Sequence, residues 1–185
     1  MGKKIIFGLV GQIASGKDTV ADYLEKKYQA KRISFSGMLR DILNRLFLPI
    51  NRKNLVATSE IIRKQFGQDL MAKVIAEEVK KSDAKIICLP NIRRNQDIKY
   101  LSKIPGFILV HITAEPKIRY QRLINRRENI DDKNKTWAQF IRDSKLPTEV
   151  TIKQVAKKAK YTIDNNGSLN ELHEQVEKIL KKHKK

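Results

Sequence analysis

The chain has 185 residues, with 39 Lys and Arg against 20 Asp and Glu, a formal net charge of +19 and 41% hydrophobic residues. That length suits one domain spanning 1–185, and the apolar content excludes a disordered chain. A single cysteine, Cys88, excludes a disulfide scaffold and a Cys-based zinc site, and no two of His111, His173 and His183 stand at ligand spacing.

In chain order, the first element is Ile5–Val10, a nearly continuous apolar run that predicts a parallel strand buried on both faces. Val20, Leu24 and Tyr28 then recur at helical spacing. Residues 32–35 read as a short second strand, and residues 37–47 and about 56–66 as helices. Leu70, Met71, Val74, Ile75 and Val79 mark a further helix. Residues 86–89 form a third strand closed by Pro90, and residues 107–112 a fourth that begins after Pro105-Gly106. Residues 115–127 are predicted helical. Residues 161–163 alternate as an edge strand before the turn Asp164-Asn165-Asn166-Gly167. Leu169, Leu172, Val176, Ile179 and Leu180 make the last helix, with Ser168 as its N-cap. The alternation predicts an α/β fold: an open, mainly parallel five-stranded sheet with helices on both faces, its ligands at the carboxyl ends of the strands.

The positive excess is spread along the chain, +8 over residues 1–92 and +11 over residues 93–185, with a short basic tail of Lys181, Lys182, Lys184 and Lys185. A dedicated nucleic-acid arm would concentrate it. Spread charge favours polyanions in general, which gives nucleotides and weak nucleic-acid binding as expected partners; a solvated lysine-rich surface is the plain alternative. No apolar run approaches the ~18 residues of a membrane span. The six-residue stretch after Lys3-Lys4 is shorter than the roughly 7–15 of a secretory core. A soluble cytoplasmic protein with no membrane partner is expected.

Gly11-Gln12-Ile13-Ala14-Ser15-Gly16-Lys17-Asp18-Thr19 fits the phosphate-loop spacing of Gly, four residues, Gly, Lys, directly after a strand and opening a helix. Glycines let the backbone wrap a phosphate and aim N–H groups at it, and the helix N-terminus adds partial positive charge. Lys17 reaches the β- and γ-phosphates of ATP and neutralises charge during transfer. The residue after the lysine is ordinarily Ser or Thr on Mg²⁺; here it is Asp18, with the hydroxyl one later at Thr19. A carboxylate also serves Mg²⁺, so Asp18 is the candidate metal ligand.

The ending Gly16-Lys17-Asp18-Thr19 resembles phage-type deoxynucleoside monophosphate kinases, and Ser36-Gly37-Met38-Leu39-Arg40 is similar to a stretch in adenylate kinases. The resemblance implies a P-loop NTPase fold with a small lid, ATP as phosphoryl donor, and Ser36 and Arg40 at the acceptor. Arg93 matches a second acceptor-side arginine of these families. Glu115-Pro116-Lys117-Ile118-Arg119-Tyr120-Gln121-Arg122-Leu123, then Arg126-Arg127, resembles the helix leading into their lid. Ile163-Asp164-Asn165-Asn166-Gly167-Ser168-Leu169 is similar to the end of dephospho-coenzyme A kinases, which implies that Asn165 and Gly167 lie on the adenine side of ATP.

Independently of that likeness, a phosphoryl-transfer site needs cations from several directions. Arg119, Arg122 and Arg126 fall at i, i+3 and i+7, on one helical face, and a guanidinium donates paired hydrogen bonds to phosphate. A solvated basic face is the alternative for Arg119 and Arg122. The polar segment that follows is a candidate lid, about 126–137, carrying Arg126 and Arg127 after Arg122; Trp137 anchors the helix beyond it. Cys88 and His111 read as core or strand-end residues.

Related sequences place an aspartate near the end of the third strand, where this chain has Leu89-Pro90-Asn91-Ile92-Arg93-Arg94. Three accounts stand: Asp18 serves the metal, Asn91 holds a metal-bound water, or catalysis is weak or lost. The expected activity is ATP-dependent phosphoryl transfer to a nucleoside or deoxynucleoside monophosphate, with Lys17, Arg93 and Arg126 acting on the transferring group. Dephospho-coenzyme A kinase, or a nucleotide-dependent RNA- or ribosome-binding protein, are the alternatives.

Overall fold

In the computed structural model, residues 4–125 and 134–184 are described. Five strands, β1 (Ile5–Val10), β2 (Lys31–Arg32), β3 (Ile86–Ile92), β4 (Phe107–Thr113) and β5 (Tyr161–Asp164), lie in the order β2-β3-β1-β4-β5. Every pairing is parallel. The three inner strands alternate their buried side chains between two cores. Phe7, Leu9, Val110 and Ile112 pack against Val20 and Leu24 of α1 (Lys17–Tyr28) and Leu172 and Val176 of α9 (Leu169–His183). On the other face, Ile6, Val10, Ile87, Leu89 and Leu109 meet Ile75 and Val79 of α4 (Leu70–Lys81) and Ile152 and Val155 of α8 (Pro147–Ala156). Burial on both faces is why these strands read as continuous apolar runs. The chain is an α/β P-loop NTPase fold.

Several element boundaries differ from the sequence reading. The second strand stops at Arg32, because the Ser34 hydroxyl accepts from the Gly37 N–H at 3.0 Å and starts α2 (Phe35–Arg45). Ile33 still reaches the Cys88 carbonyl at 3.0 Å. The third strand runs through Pro90 to Ile92. The partners of Gly8 and Val10 on β1 are Leu89 and Ile92, so β3 carries one extra residue there, and Asn91 has φ 69°. A bulge interrupts the ladder, and a residue without an N–H is tolerated at such a point. α3 (Arg52–Phe66) begins a turn earlier than expected, capped by the Asn51 side chain.

Within the described residues, α6 covers Pro116–Asn125. Two helices carry no strong sequence signal, the short α5 (Asn95–Ile98) and α8; α7 (Trp137–Asp143) lies between α6 and α8. No helix among the described residues is long and apolar enough to cross a membrane.

Candidate functional site

The phosphate loop joins β1 to α1 and is built on left-handed backbone. Ala14 has φ 57° and Gly16 φ 101°. A Cβ at Gly16 would lie 2.1 Å from the Asn165 Nδ2, and one at Gly11 would lie 2.3 Å from the Ile112 carbonyl oxygen, so neither position has room for a side chain. Lys17 opens α1 and is 7% exposed, its Nζ donating to the Gln12 carbonyl at 3.0 Å. That carbonyl also accepts from the Ser15 N–H at 3.2 Å, closing the loop into a ring around Ile13 and Ala14.

Two side chains brace the ring. Asn165, expected on the adenine side of ATP, is 5% exposed and joined to the loop. Its Nδ2 donates to the Ser15 carbonyl at 2.8 Å, and its own N–H donates to Thr113 at 2.8 Å. Arg119 is 3% exposed, so it is not part of a solvated basic face. Its Nε donates to the Ala114 carbonyl at 3.0 Å and its Nη1 to the Ile13 carbonyl at 3.3 Å, while the guanidinium sits 5.2 Å above the Phe140 ring. Burial pushes its pKa down, with Glu149 of α8 opposing the shift. Away from the loop, the Asn166 Oδ1 accepts the Glu115 N–H at 2.7 Å and fixes the β5–α9 turn to the start of α6. Gly167 packs against the Glu171 carboxylate, part of the Ser168–Glu171 capping box of α9.

Arg122 lies half-buried on α6, with a buried Nη1 that has no hydrogen-bond partner among the described residues, and burial lowers its pKa. Arg126 and Arg127 lie outside the described residues, as does most of the candidate lid. Its far end is fixed: the Tyr120 hydroxyl donates to the Lys135 carbonyl at 2.9 Å, Lys135 pairs with Asp143, and Trp137 packs on Tyr120 and Phe140. Trp137 thus anchors α7, as expected.

Asp18 stands in the first turn of α1, half-exposed, with Arg32 at 3.9 Å. The same guanidinium pairs with Asp22 and Glu25, the next acids along that helix face. No cluster of three or more His, Cys, Asp or Glu side chains suited to a metal ion occurs among the described residues. A single carboxylate completed by phosphate and water is a donor set Mg²⁺ accepts, and the Asp18 carboxylate, one residue after Lys17, fits that chemistry.

The residues expected at the acceptor stand in looser surroundings. Ser36 and Arg40 are exposed on α2, and Arg93 is exposed just past β3. Asp97, which sequence alone did not place, is buried beside them, and its carboxylate accepts the N–H groups of Arg93 at 3.0 Å and Arg94 at 2.9 Å. Burial pushes its pKa up, against those two N–H groups and the nearby guanidiniums of Arg63 and Arg94. Arg63 of α3 was missed by the sequence reading, because nothing in its local pattern separates it from the other surface cations. It is half-buried, held by the Ser59 hydroxyl at 2.7 Å, and burial followed by Arg94 lowers its pKa.

His111 of β4 pairs in register with Val10, next to the loop; burial first, then Lys17, lowers its pKa.

A family profile described as an AAA domain matches residues 10–139. A UPF0200 protein of Methanococcus maripaludis is 24% identical over 179 residues, 96% of each chain. Another, from Pyrococcus horikoshii, is 27% identical over 183 residues, 96% of this chain and 97% of its own. In structure, the chain is similar to a shikimate kinase from Bacteroides thetaiotaomicron, with a TM-score of 0.63 at 11% identity, covering 96% of this chain and 97% of that one.

Proposed function

The chain belongs to the AAA domain family, and we propose from that membership and from the loop that it is a kinase, transferring the γ-phosphoryl group of ATP to a nucleoside or deoxynucleoside monophosphate. The observation that carries the reading is Lys17, bent back onto the Gln12 carbonyl of a phosphate loop whose Ser15 and Ile13 carbonyls are held by Asn165 and Arg119. Such a preformed cradle stabilises charge as it moves between donor and acceptor without reorganising. Mg²⁺, when bound, neutralises the β- and γ-oxygens, and Asp18 is the residue that would hold it.

Arg40 and Arg93 grip the acceptor's phosphate in this reading, and Arg126 and Arg127 close over the transferring group. The acceptor oxygen attacks the γ-phosphorus, the bond to the β–γ bridging oxygen breaks, and ADP leaves. A phosphate acceptor favours this chain over an alcohol acceptor. Its attacking oxygen is already deprotonated at neutral pH, and the last residues of β3, Pro90-Asn91-Ile92, include no carboxylate to act as a base. Dephospho-coenzyme A and shikimate, the acceptors suggested by the turn at Ile163–Leu169 and by the structural likeness, both present hydroxyls.

The test is ADP release from ATP with Mg²⁺ across a panel of nucleoside monophosphates, dephospho-coenzyme A and shikimate. A monophosphate should stimulate release and Lys17→Ala should abolish it. Stimulation by the hydroxyl acceptors alone would replace the acceptor class. No stimulation by any acceptor, with ATP bound and RNA retained in a salt-dependent way, would replace the kinase by a nucleotide-dependent RNA-binding protein.

A further inference from the structure

The turn between α2 and α3 presents Leu46, Phe47, Leu48, Pro49 and Ile50 in succession, within ten consecutive exposed residues, 44–53. Phe47 is 95% exposed. Its backbone is left-handed, with φ 56°. The cause is local. The Leu48 N–H reaches the Leu43 carbonyl at 2.9 Å and the Phe47 N–H reaches Asn44 at 3.1 Å, a Schellman closure of α2 with Phe47 at the position that glycine ordinarily fills.

Beyond it, the Asn54 side chain donates to the Pro49 carbonyl at 2.7 Å, and Asn51 caps α3. The backbone of the tip is thus well satisfied and its apolar side chains are held outward. A bulky residue at positive φ is strained, and a phenyl ring in water gains nothing from packing. Nothing in the fold accounts for Phe47, and glycine would serve the fold better.

The surroundings state what such a ring would meet. No acid occurs between Asp41 and Glu60, while Arg45, Arg52 and Lys53 flank the tip, all exposed. A second copy of the chain would bring the same cations face to face. The wider +19 charge is spread over both halves rather than gathered at the tip, so it is read best by an extended anionic surface. Four of the five tip residues are aliphatic, which suits hydrocarbon; bases stack on aromatic rings instead. We propose that the α2–α3 tip docks on an anionic lipid surface, Phe47 and its aliphatic neighbours entering the interface while Arg45, Arg52 and Lys53 meet the headgroups. This departs from the sequence expectation of no membrane partner, which rested on the lack of a span and of a secretory core.

Sedimentation of the full chain with vesicles tests it, using phosphatidylcholine alone and phosphatidylcholine mixed with phosphatidylglycerol. Wild type should partition at least about tenfold more onto the anionic vesicles, and Phe47→Gly should cut that partition roughly tenfold while raising Tm. Phe47→Asp should abolish binding. Wild type that stays in the supernatant, or Phe47→Gly that pellets as well as wild type, overturns the proposal. So does a Phe47→Gly protein of lower Tm, which would give the ring a role in folding. Phe47-dependent self-association, or Phe47-dependent retention on RNA or polyglutamate without vesicle binding, would assign the tip to another occupant.

Discussion

The phosphate loop and the α2–α3 hairpin each follow the carboxyl end of a strand, yet they are embedded to opposite degrees. α1, which carries the loop's lysine, buries Lys17, Val20, Ala21 and Leu24, and the loop itself is held by Asn165, just past β5, and by Arg119 of α6. α3 spans fifteen residues and buries none of them. The phosphate loop, proposed above as the donor cradle, is therefore tied into the core. The α2–α3 hairpin, where the proposed acceptor residues Ser36 and Arg40 lie, has little buried apolar surface in α3 and so belongs to the low-stability end of the fold, where moving elements are drawn from. The difference sorts the functional residues as well: Asn165 and Arg119 are locked by short hydrogen bonds, whereas Ser36, Arg40 and Arg93 stand exposed.

The sharpest way to break this comparison is to cut equal side chains from the two sides. Leu24→Ala, at a fully buried position of α1, should cost about 2–5 kcal/mol. Leu55→Ala, on the half-buried inner face of α3, should cost less than about 1 kcal/mol, since a residue that remains partly solvated loses less transfer free energy. Urea unfolding of both variants measures it, and equal losses would mean that the hairpin is as firmly built as the loop.

Asn165→Ala comes next. It leaves the Ser15 carbonyl without its donor and should cost about 1–3 kcal/mol of stability. Calorimetric titration should also find ATP weakened, because the loop loses its support although no ligand contact has been removed. Retained ATP affinity in a destabilised protein would make Asn165 a core residue only.

Arg63→Gln probes the other side. It should raise the acceptor KM by about tenfold and leave ATP affinity unchanged. A fall in kcat together with weakened ATP would place Arg63 with the donor instead.

What the sequence made legible follows the same division. Strand–helix alternation and the loop spacing are short-range signals, so the sheet, its order of elements and Lys17 could be read from 185 letters. The braces could not. Asn165 lies 150 residues from Ser15 and Arg119 lies 106 from Ile13, so their roles exist only once the sheet has brought the strand ends together. Arg119 in particular sits at helical spacing with Arg122, a pattern that a solvated face and a buried clamp share. The extension of β3 through Pro90 was hidden for a related reason: the rule that proline ends a strand gives way at a bulge, and the bulge is set by pairing with β1 rather than by the local residues.

The smallest effect concerns protons. His111 is held below its ordinary pKa, about 6.5, by burial and then by the positive charge of Lys17. A histidine depressed in the folded state contributes stability in full above the unfolded pKa, and that contribution is lost as pH falls through the folded value. Tm should therefore decline on acidification below about 6.5, and His111→Gln should flatten part of the decline. Nucleotide binding should reverse the electrostatic cause. Phosphates seated on Lys17 cancel its charge as felt at the imidazole, so the His111 pKa should rise when ATP binds, and binding below neutrality should take up a fraction of a proton. Titration of the His111 ring signals by NMR, with and without ATP, measures both values directly. If ATP left the His111 titration unmoved while binding tightly, the phosphates would lie away from Lys17, and the donor half of the site would have to be placed elsewhere on the sheet.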